Sequence, residues 1–530
     1  MGHTLKIEFG TSNIDLTAGV YSIKTYVPQF ASGDAETVTE SAQIIIQAAS
    51  VATLQSAIRD IEEYFSIAKR RRQTRIGNRV FITFQGSGAA TKYRSELYSI
   101  KDSVLPGRVT INPMWMQNVH WDDFVAQVQV TWERKNYWEA NTEVELSLAN
   151  QSQAKATGGC TIYNPNTANL GHATTISFTN ATSRISDSGN GMGVFAANDV
   201  INVRGSTSND GIYTVSSVAG DGSYLVVHQT IVEEVAGDDV YFWDIQNYVD
   251  ISSTDVSGSL PSPLGFYFTS ETAGDELESF WIYANTNLLP FQFPHVLDSD
   301  DSDTTPTDTA SALCVSALYN QYNVTTSYAK ITGWTLPAQM LTVAAGGYFR
   351  ILARFFDTTD ITNVKLGVKI LSGTTVLYTG GQIAPDDTYA STEEILREID
   401  TIQLPPMPQA VQDPADLTLQ LWGISTTGST ETIKLDCLFL LPTSSWLKLK
   451  SMVGVVQNAG VSEYPYEEQR HQTVSGASVP DIVGVGGPIM AFPGRDMRIY
   501  FNYHTDTNAV AEIARELEVK AYYRPRVLTV

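Results

Sequence analysis

Apolar residues occupy every second position along much of the chain, which is the periodicity of β-strands that bury one face. Clear examples are the segments 80–84, 124–132, 364–370 and 433–439. Stretches rich in glycine, asparagine, serine and proline separate many of these runs and are typical of turns. The pattern predicts a mainly β protein with a multi-domain β-sandwich and jelly-roll architecture.

One segment has the periodicity of a helix. Its apolar residues recur at alternating spacings of three and four, which places them on one helical face. They are Val51, Leu54, Ile58, Ile61, Phe65 and Ala68. The opposite side carries charged residues such as Arg59 and Glu62. We therefore predict one long amphipathic helix, at about 51–72, in the N-terminal domain.

Turn-rich stretches divide the chain into four units. With 530 residues it exceeds what a single hydrophobic core usually supports. The stretch FAANDVINVRGSTSNDGIYTV, at 195–215, has two alternating runs around a dense turn, which predicts a module of short strands. The units are a domain with the helix at 1–150, a small β-barrel-like module at 175–245, a jelly-roll domain at 246–447, and a closing β segment at 448–530 that could pack on the N-terminal domain.

The charge balance narrows the possible partners. Only 17% of the residues are charged, and the formal net charge is −23. So acidic a chain disfavours a general nucleic-acid binder, because phosphate groups must be neutralised by a basic surface. The same charge would let DNA pass through a channel without sticking. The three cysteines (Cys160, Cys314 and Cys437) are widely spaced and indicate neither a disulfide framework nor a metal site.

The sequence contains few motifs that indicate a reaction. The seven histidines form no paired metal-ligand motif, and the chain has no GxSxG sequence. We predict no catalytic residues, no cofactor and no metal, and hence no enzyme. The acidic run Asp298–Asp308 could gather carboxylates around calcium, but it lacks the glycine and the final glutamate of an EF-hand loop. A glycan-cleaving pair among the 57 acidic residues stays an alternative.

A basic run at the end of the predicted helix is unusual in so acidic a chain. Cations at a helix C-terminus interact favourably with the helix dipole and with its free carbonyl groups, which is one interpretation. A second is contact with the acidic face of a neighbouring subunit. Nucleic-acid binding is a third, disfavoured because no aromatic residues accompany the arginines. The candidate subunit-contact residues are Lys69, Arg70, Arg71, Arg72, Arg75 and Arg79.

Aromatic residues in the predicted jelly roll are candidates for sugar binding. Exposed tryptophan and tyrosine rings can stack on sugars, although most of these rings should simply lie in the core or at an interface. The candidates are Trp281, Tyr283, Trp334, Tyr348 and Trp422.

The order of these units resembles distal-tail or baseplate-hub proteins of tailed bacteriophages with inserted carbohydrate-binding-like β domains. LQSAIRDIEEYFSIA and VQVTWERKNYWEA are similar to the ring-forming hub domain. ANDVINVRGSTSNDGIYTV looks like a small module of phage structural proteins. VSGSLPSPLGFYFTS through LDCLFLLPTSS resembles the inserted jelly roll, and PGRDMRIYFNY with VKAYYRPRVLTV resembles the closing segment.

The resemblance implies a structural virion protein, made in the host bacterial cytoplasm. It would form a homo-oligomeric, hexameric ring that links the tail tube to the tail-tip, hub and receptor-binding proteins, with no catalytic residues of its own. A host-surface glycan is a further possible partner. Sequence-specific nucleic acid and membrane insertion are not expected. The alternatives are a carbohydrate-binding adhesion protein of the tail tip and a glycan-cleaving enzyme.

Overall fold

Strands dominate the computed structural model, and one α-helix is present in the part of the chain that it describes. The mainly β prediction is therefore confirmed, and the helix predicted at 51–72 is observed at Val51–Thr74. The structure describes residues 2–29, 36–74, 79–98, 124–148, 159–163, 169–197, 199–209, 211–244, 248–270, 277–285, 295–298, 303–304, 307–310, 318–336, 348–355, 361–383, 395–403, 417–442, 445–451, 458–462, 471–474, 477–478, 482–486, 488–505 and 516–530.

The N-terminal domain is a nine-stranded antiparallel sheet with the helix packed on it. Its elements are β1 (Thr4–Phe9), β2 (Ser12–Asp15), β3 (Tyr21–Tyr26), β4 (Thr37–Gln47), α1 (Val51–Thr74), β5 (Val80–Gln85), β6 (Tyr93–Tyr98), β7 (Val125–Lys135) and β8 (Trp138–Ala140). Seven strands follow the order β2-β1-β5-β6-β7-β4-β3, and β8 pairs with β6. The Oγ atom of Ser50 caps α1 by accepting the Thr53 N–H at 3.2 Å.

The buried face of α1 follows the predicted stripe with one shift. Leu54, Ile61 and Phe65 are buried as the spacing indicated, but Ala57 is buried while Ile58 is only half-buried. At this position Tyr21 Oη donates a hydrogen bond to the Ala57 carbonyl at 3.0 Å.

A fully buried ion pair lies inside this domain. Arg134 Nη2 is 2.7 Å from Glu40 Oε1, and neither side chain has any exposed surface. Glu40 also accepts hydrogen bonds from Tyr26 Oη at 3.0 Å, Trp132 Nε1 at 3.2 Å and the Gln29 backbone at 2.8 Å. Removing one partner of such a pair costs about 3–5 kcal/mol, since it leaves a buried charge alone. The network therefore holds the end of β3 against β4 and β7.

The next strands begin a second unit and then a small module. The strands are β9 (Val144–Glu145), β10 (Cys160–Tyr163), β11 (Asn169–Ala173), β12 (Ile176–Thr179), β13 (Arg184–Asp187), β14 (Val200–Arg204), β15 (Gly211–Val218), β16 (Tyr224–Val227) and β17 (Val240–Asp244), with 3₁₀ turns at Asn180–Thr182 and Gly191–Val194. The module is the antiparallel sheet β11-β17-β14-β15-β16-β13-β12 around its own core.

The dense turn of this module is held by side chains from a distant loop. Asn209 is buried, and its side chain exchanges hydrogen bonds with the Val232 backbone at 2.7 and 3.1 Å. Glu234 accepts the Asn209 amide at 2.7 Å and the Thr207 N–H at 2.9 Å. The serine, threonine and asparagine residues of this stretch therefore have a structural use, which is to attach the turn to residues 232–234.

A third group of strands contains the jelly roll. The elements are β18 (Tyr248–Ile251), β19 (Ser262–Pro263), β20 (Gly265–Ser270), β21 (Leu277–Asn285), β22 (His295–Asp298), β23 (Thr307–Ala310), β24 (Leu318–Val324), β25 (Ala329–Thr335), β26 (Tyr348–Phe355), β27 (Val364–Ser372), β28 (Thr375–Thr379), β29 (Ile395–Gln403), β30 (Leu417–Ser425) and β31 (Glu431–Pro442), with a 3₁₀ turn at Ile361–Asn363. The jelly roll consists of β23-β24-β31-β26-β29, with β22 on β31, facing β25-β30-β27-β28.

The last strands complete a β-sandwich. They are β32 (Ser445–Ser451), β33 (Asn458–Ser462), β34 (His471–Val474), β35 (Ala477–Ser478), β36 (Ile482–Gly486), β37 (Met490–Ala491), β38 (Met497–Thr505), β39 (Glu516–Tyr523) and β40 (Arg526–Val527). One sheet is β10-β39-β20-β33-β34-β35 with β9 on β39, and the other is β18-β38-β21-β32-β36. Phe266, Ile282, Phe501 and Val519 are among the residues of their shared core.

Strand pairing divides the chain differently from the predicted boundaries at 246–447 and 448–530. The strands β18, β20 and β21 pair with β32, β33, β38 and β39 instead of joining the jelly roll. The sandwich therefore comes from three separate segments, and the small module and the jelly roll are inserted into it. Alternation of apolar residues shows that a strand buries one face but does not identify its partner, which explains the different boundaries.

The chain end returns to the first domain. β40 pairs with β8, and the Arg526 guanidinium lies 3.7 Å from Glu139 and 4.0 Å from the Tyr137 ring centroid. The Arg526 carbonyl accepts the N–H groups of Ser259 and Leu260 at 2.8 and 3.2 Å. Arg526 thus contacts the N-terminal domain and the sandwich at once.

Gly258 provides a test of this joint. Its φ is +110°, and a Cβ atom there would lie 2.6 Å from the Arg526 carbonyl oxygen. We expect Gly258→Ala to lower the free energy of unfolding by about 2 kcal/mol or more, because it adds backbone strain and a clash. Urea unfolding measures this loss of stability. Hydrogen exchange at the Ser259 and Leu260 amides, measured by mass spectrometry, should become faster in the same variant.

The matched control is Gly494→Ala in the same sandwich. Gly494 has a φ of +72°, but a Cβ atom there would meet nothing within 4 Å. It should lose only about 1 kcal/mol. Equal losses in the two variants would mean that the contact with Arg526 is unimportant.

Candidate functional site

The basic run lies where it was expected, at the C-terminal end of α1. Arg70 is exposed, whereas Lys69 and Arg71 are half-buried. Arg72 belongs to the helix, but its side chain lies outside the described structure, and Arg75 is outside the described residues altogether. Arg70 is therefore the member of this run for which exposure is shown.

Arg79 has a partner within its own domain. Its guanidinium is 3.7 Å from Glu96, and its side chain is only 10% exposed. Glu96 also lies 3.2 Å from Lys135 Nζ. A side chain that is buried and paired in this way has a structural use, so Arg79 is the weakest candidate for contact with another subunit.

The aromatic candidates divide by burial. Tyr283 and Trp334 are buried in the structure, with 0% and 2% exposure, so neither offers a face to a sugar and both are removed from the candidate surface. The side chains of Trp281 and Tyr348 lie outside the described structure. Trp422 is half-buried and points away from the jelly-roll core.

Tyr283 lies instead where the jelly roll joins the sandwich. It is paired across the sheet with Trp446, and the Arg350 guanidinium of the jelly roll lies 3.5 Å from the Trp446 ring centroid. Arg350 also pairs with Glu398. Burial, with the nearby Glu398 carboxylate, raises the pKa of Tyr283 well above its usual range. This junction was not predicted, although an arginine inside the apolar run YFRILARFF was a signal for it.

Trp422 lies on the outer face of the sheet β25-β30-β27-β28. Residues along β30 alternate between buried and half-buried, and Gln420 and Trp422 belong to the outward set. Lys369 Nζ lies 3.2 Å from the Trp422 ring centroid, and the Tyr328 ring is 5.5 Å away at 38°. Trp422 Nε1 donates a hydrogen bond to Gln420 Oε1 at 3.0 Å. The indole is therefore held in one orientation by three neighbours.

Gly367 makes space for Tyr328 beside this indole. It pairs with Trp422 across the strands, and a Cβ atom there would lie 2.6 Å from Tyr328 Oη and 2.5 Å from the Gly381 carbonyl oxygen. Any larger residue would push Tyr328 off the sheet. The Tyr328 hydroxyl is itself buried, and it makes no hydrogen bond with the described residues.

A half-buried carboxylate lies at the neighbouring edge of the jelly roll. Asp400 Oδ1 accepts hydrogen bonds from Tyr378 Oη at 3.1 Å and from the Thr401 N–H at 2.7 Å. Its Oδ2 atom has no partner among the described residues and lies against Gly380, where a Cβ atom would be 1.8 Å away. Burial, with a smaller contribution from Glu398, raises the pKa of Asp400.

Other candidate sites receive no support from the described residues. No group of three histidine, cysteine, aspartate or glutamate residues among them could hold a metal ion. Within the acidic run Asp298–Asp308, Asp303 pairs with Lys330, and much of the remainder is outside the described ranges. None of the helices in the described part of the chain has the length and apolar character that crossing a membrane would require.

Comparison with known proteins gives no family. No protein family and no curated protein matches the chain. Among solved structures, the VP2 subviral particle of infectious bursal disease virus is 8% identical, with a TM-score of 0.16 over 72% of this chain and 81% of that one. The insecticidal delta-endotoxin Cry8Ea1 of Bacillus thuringiensis is 9% identical, with a TM-score of 0.19 over 57% and 53%. TM-scores this low establish no common fold.

Asp400 makes the stability of the jelly roll depend on pH. Its pKa in the folded state is raised above the ordinary 3.8, so the folded protein holds the proton more tightly than the unfolded chain does. The resulting stabilisation is present below about pH 3.8 and is lost as the pH rises through the folded-state pKa. Asp400→Asn should therefore be more stable than the wild type at pH 7 and similar at pH 3, as measured by thermal unfolding.

Asp187→Asn in the small module is a control, because the pKa of Asp187 is shifted in the opposite direction to that of Asp400. Although burial acts to raise it, hydrogen bonds from Thr175, Gly189 and Gly191 hold the pKa of Asp187 below its usual value. This variant should lose stability at pH 7 and lose little at pH 2. If Asp400→Asn behaved like Asp187→Asn, the Asp400 carboxylate would be stabilising, contrary to the burial argument.

Proposed function

We propose that this protein is a structural component of the tail tip of a tailed bacteriophage. Its N-terminal domain would form a ring at the distal end of the tail tube, and the inserted domains would project from that ring. The observation that carries the proposal is the nesting of the domains. One domain contains both β1 and β40, the sandwich is inserted into it, and the small module and the jelly roll are inserted into the sandwich.

Nesting of this kind suits a protein that must hold modules in place. The sandwich leaves the first domain after β8 and returns to it at β40, while the jelly roll leaves after β21 and returns at β32. β21 and β32 are hydrogen-bonded neighbours, so the jelly roll is connected to the sandwich through two adjacent strands. Two connections restrict rotation far more than one flexible linker does.

A closed ring of identical subunits needs two different faces that complement each other. The exposed Arg70 at the end of α1 and the net charge of −23 provide opposite charges for such a contact. The acidic chain also suits a conduit through which DNA passes without binding. The proposed partners are further copies of this chain, the tail tube protein, and the tail-tip, hub and receptor-binding proteins. The proposal includes no catalytic activity and no cofactor.

A second function is attachment to sugars on the host surface through the jelly roll. The half-buried Trp422 with Tyr328 beside it favours this function, because paired aromatic rings on an outward sheet face are suited to sugar binding. The two functions are compatible, since a ring component can carry a binding module.

Charge reversal at the helix end tests the ring. Changing Arg70, Arg71, Arg72 and Arg75 together to glutamate would place like charges against an acidic neighbour. We expect the secondary structure to remain normal by circular dichroism, because the buried face of α1 is untouched. Breaking one desolvated ion pair between subunits would cost about 2–5 kcal/mol, so light scattering should show failed assembly.

The matched control is Arg59→Glu, an exposed position on the same helix away from its end. It should assemble like the wild type. Normal assembly of the fourfold variant would mean that the basic run is only a solvated helix end and makes no contact between subunits. A wild-type protein that stays monomeric at every concentration, also with the tail tube protein present, would contradict the ring itself.

A further inference from the structure

We propose that Lys369, Trp422 and Tyr328 form a binding site for a carboxylated sugar on the outer face of the sheet β25-β30-β27-β28. The inference deepens the second function proposed above and rests on it. The ligand must carry a carboxylate, and Lys369 is the residue that recognises it.

The first observation is that the Lys369 ammonium has no carboxylate partner among the described residues. Between positions 295 and 442 the sequence has seven Lys and Arg residues against seventeen Asp and Glu residues. Arg350 and Lys330 pair with Glu398 and Asp303, respectively. Lys369 is half-buried and forms no ion pair with the described residues; its ammonium rests on the Trp422 ring. In so acidic a module, a half-buried lysine without a carboxylate is available for a carboxylate supplied by a ligand.

The second observation is a hydroxyl without a hydrogen bond. Buried tyrosine hydroxyls normally have a partner. Tyr328 Oη has none among the described residues, and it lies over Gly367 next to the indole. Asp400 is near enough for its charge to help raise the pKa of Tyr328, after the larger effect of burial, but it makes no hydrogen bond to it. Because this hydroxyl is buried, a ligand beside Trp422 would contact the half-buried Tyr328 ring and not the hydroxyl itself.

The chemistry of these groups selects the ligand class. Tyrosine and tryptophan rings pack against the C–H faces of sugar rings, and an ammonium binds a carboxylate more strongly than it binds an aromatic face. A carboxylate would therefore draw Lys369 off the indole and uncover the ring for the sugar. Nucleic acid is disfavoured, because a chain with a net charge of −23 repels a polyanion of closely spaced phosphates. A sugar chain whose carboxylates are separated by neutral rings offers a carboxylate to Lys369 and avoids the closely spaced charges of nucleic acid.

A pair of probes that differ only in charge tests the site. Trigalacturonic acid and its methyl ester have the same rings, and sialyllactose and its methyl ester serve as a second pair. With the full-length protein, calorimetry should show that the acids bind at least about tenfold more tightly than their neutral partners. Lys369→Met should remove this preference, and Trp422→Ala should weaken binding of both members of each pair.

Lys434→Met is the matched control, because Lys434 is a half-buried lysine on the other sheet of the same module. It should keep the preference for acids. Equal affinity for acids and neutral partners, a preference that survives in Lys369→Met, or no binding of either acid at about 1 mM would overturn the proposal. Assembly measured by light scattering on the same variants separates this outcome from a failure of the ring, since Lys369 is far in sequence from α1.

Discussion

The pairing of β40 with β8 is the constraint on which the rest of the architecture depends. It brings the end of the chain back to the domain where the chain begins, so everything between must leave and return at one place. Arg524 and Arg526 hold that place. Arg524 lies 3.1 Å from Glu143 and donates to the carbonyl groups of Ala140 and Asn141, next to the point of departure. Arg526 contacts both Glu139 and the backbone of the sandwich.

The jelly roll repeats this arrangement on a smaller scale. The chain leaves the sandwich along β21 and returns along its neighbour β32. Arg350 reaches from the jelly roll to the Trp446 ring and pairs with Glu398, so a charge-bearing contact again marks the point of departure and return. If both joints are firm, the modules keep fixed positions relative to the first domain, which is what the proposed ring requires of its branches.

Two buried ion pairs lie between neighbouring strands of the described sheets. Glu40 with Arg134, and Asp436 with Arg354, are buried pairs within the sheets. Such pairs add little net stability, but separating one is expensive, so they penalise wrong pairing more than they strengthen correct pairing. In a chain with many similar alternating strands, that penalty is useful. Lys369 differs from these residues, because its ammonium has aromatic rings but no carboxylate beside it among the described residues, and its charge therefore fixes no strand pairing.

The sequence by itself determined many of the strands, the helix α1 and the turn after β14, because periodicity and turn residues act locally and need no knowledge of partners. It did not determine which strands pair, since alternation is the same in a sandwich and in a jelly roll. The strands β18, β20 and β21 were assigned to the jelly roll but pair within the sandwich. It also could not separate buried rings from exposed ones. Tyr283 and Trp422 have similar neighbours in sequence, yet one is covered at a domain junction and the other points outward. Only the tertiary structure decided these, because burial depends on what a strand packs against, and those contacts come from residues distant in sequence, such as Trp446 beside Tyr283.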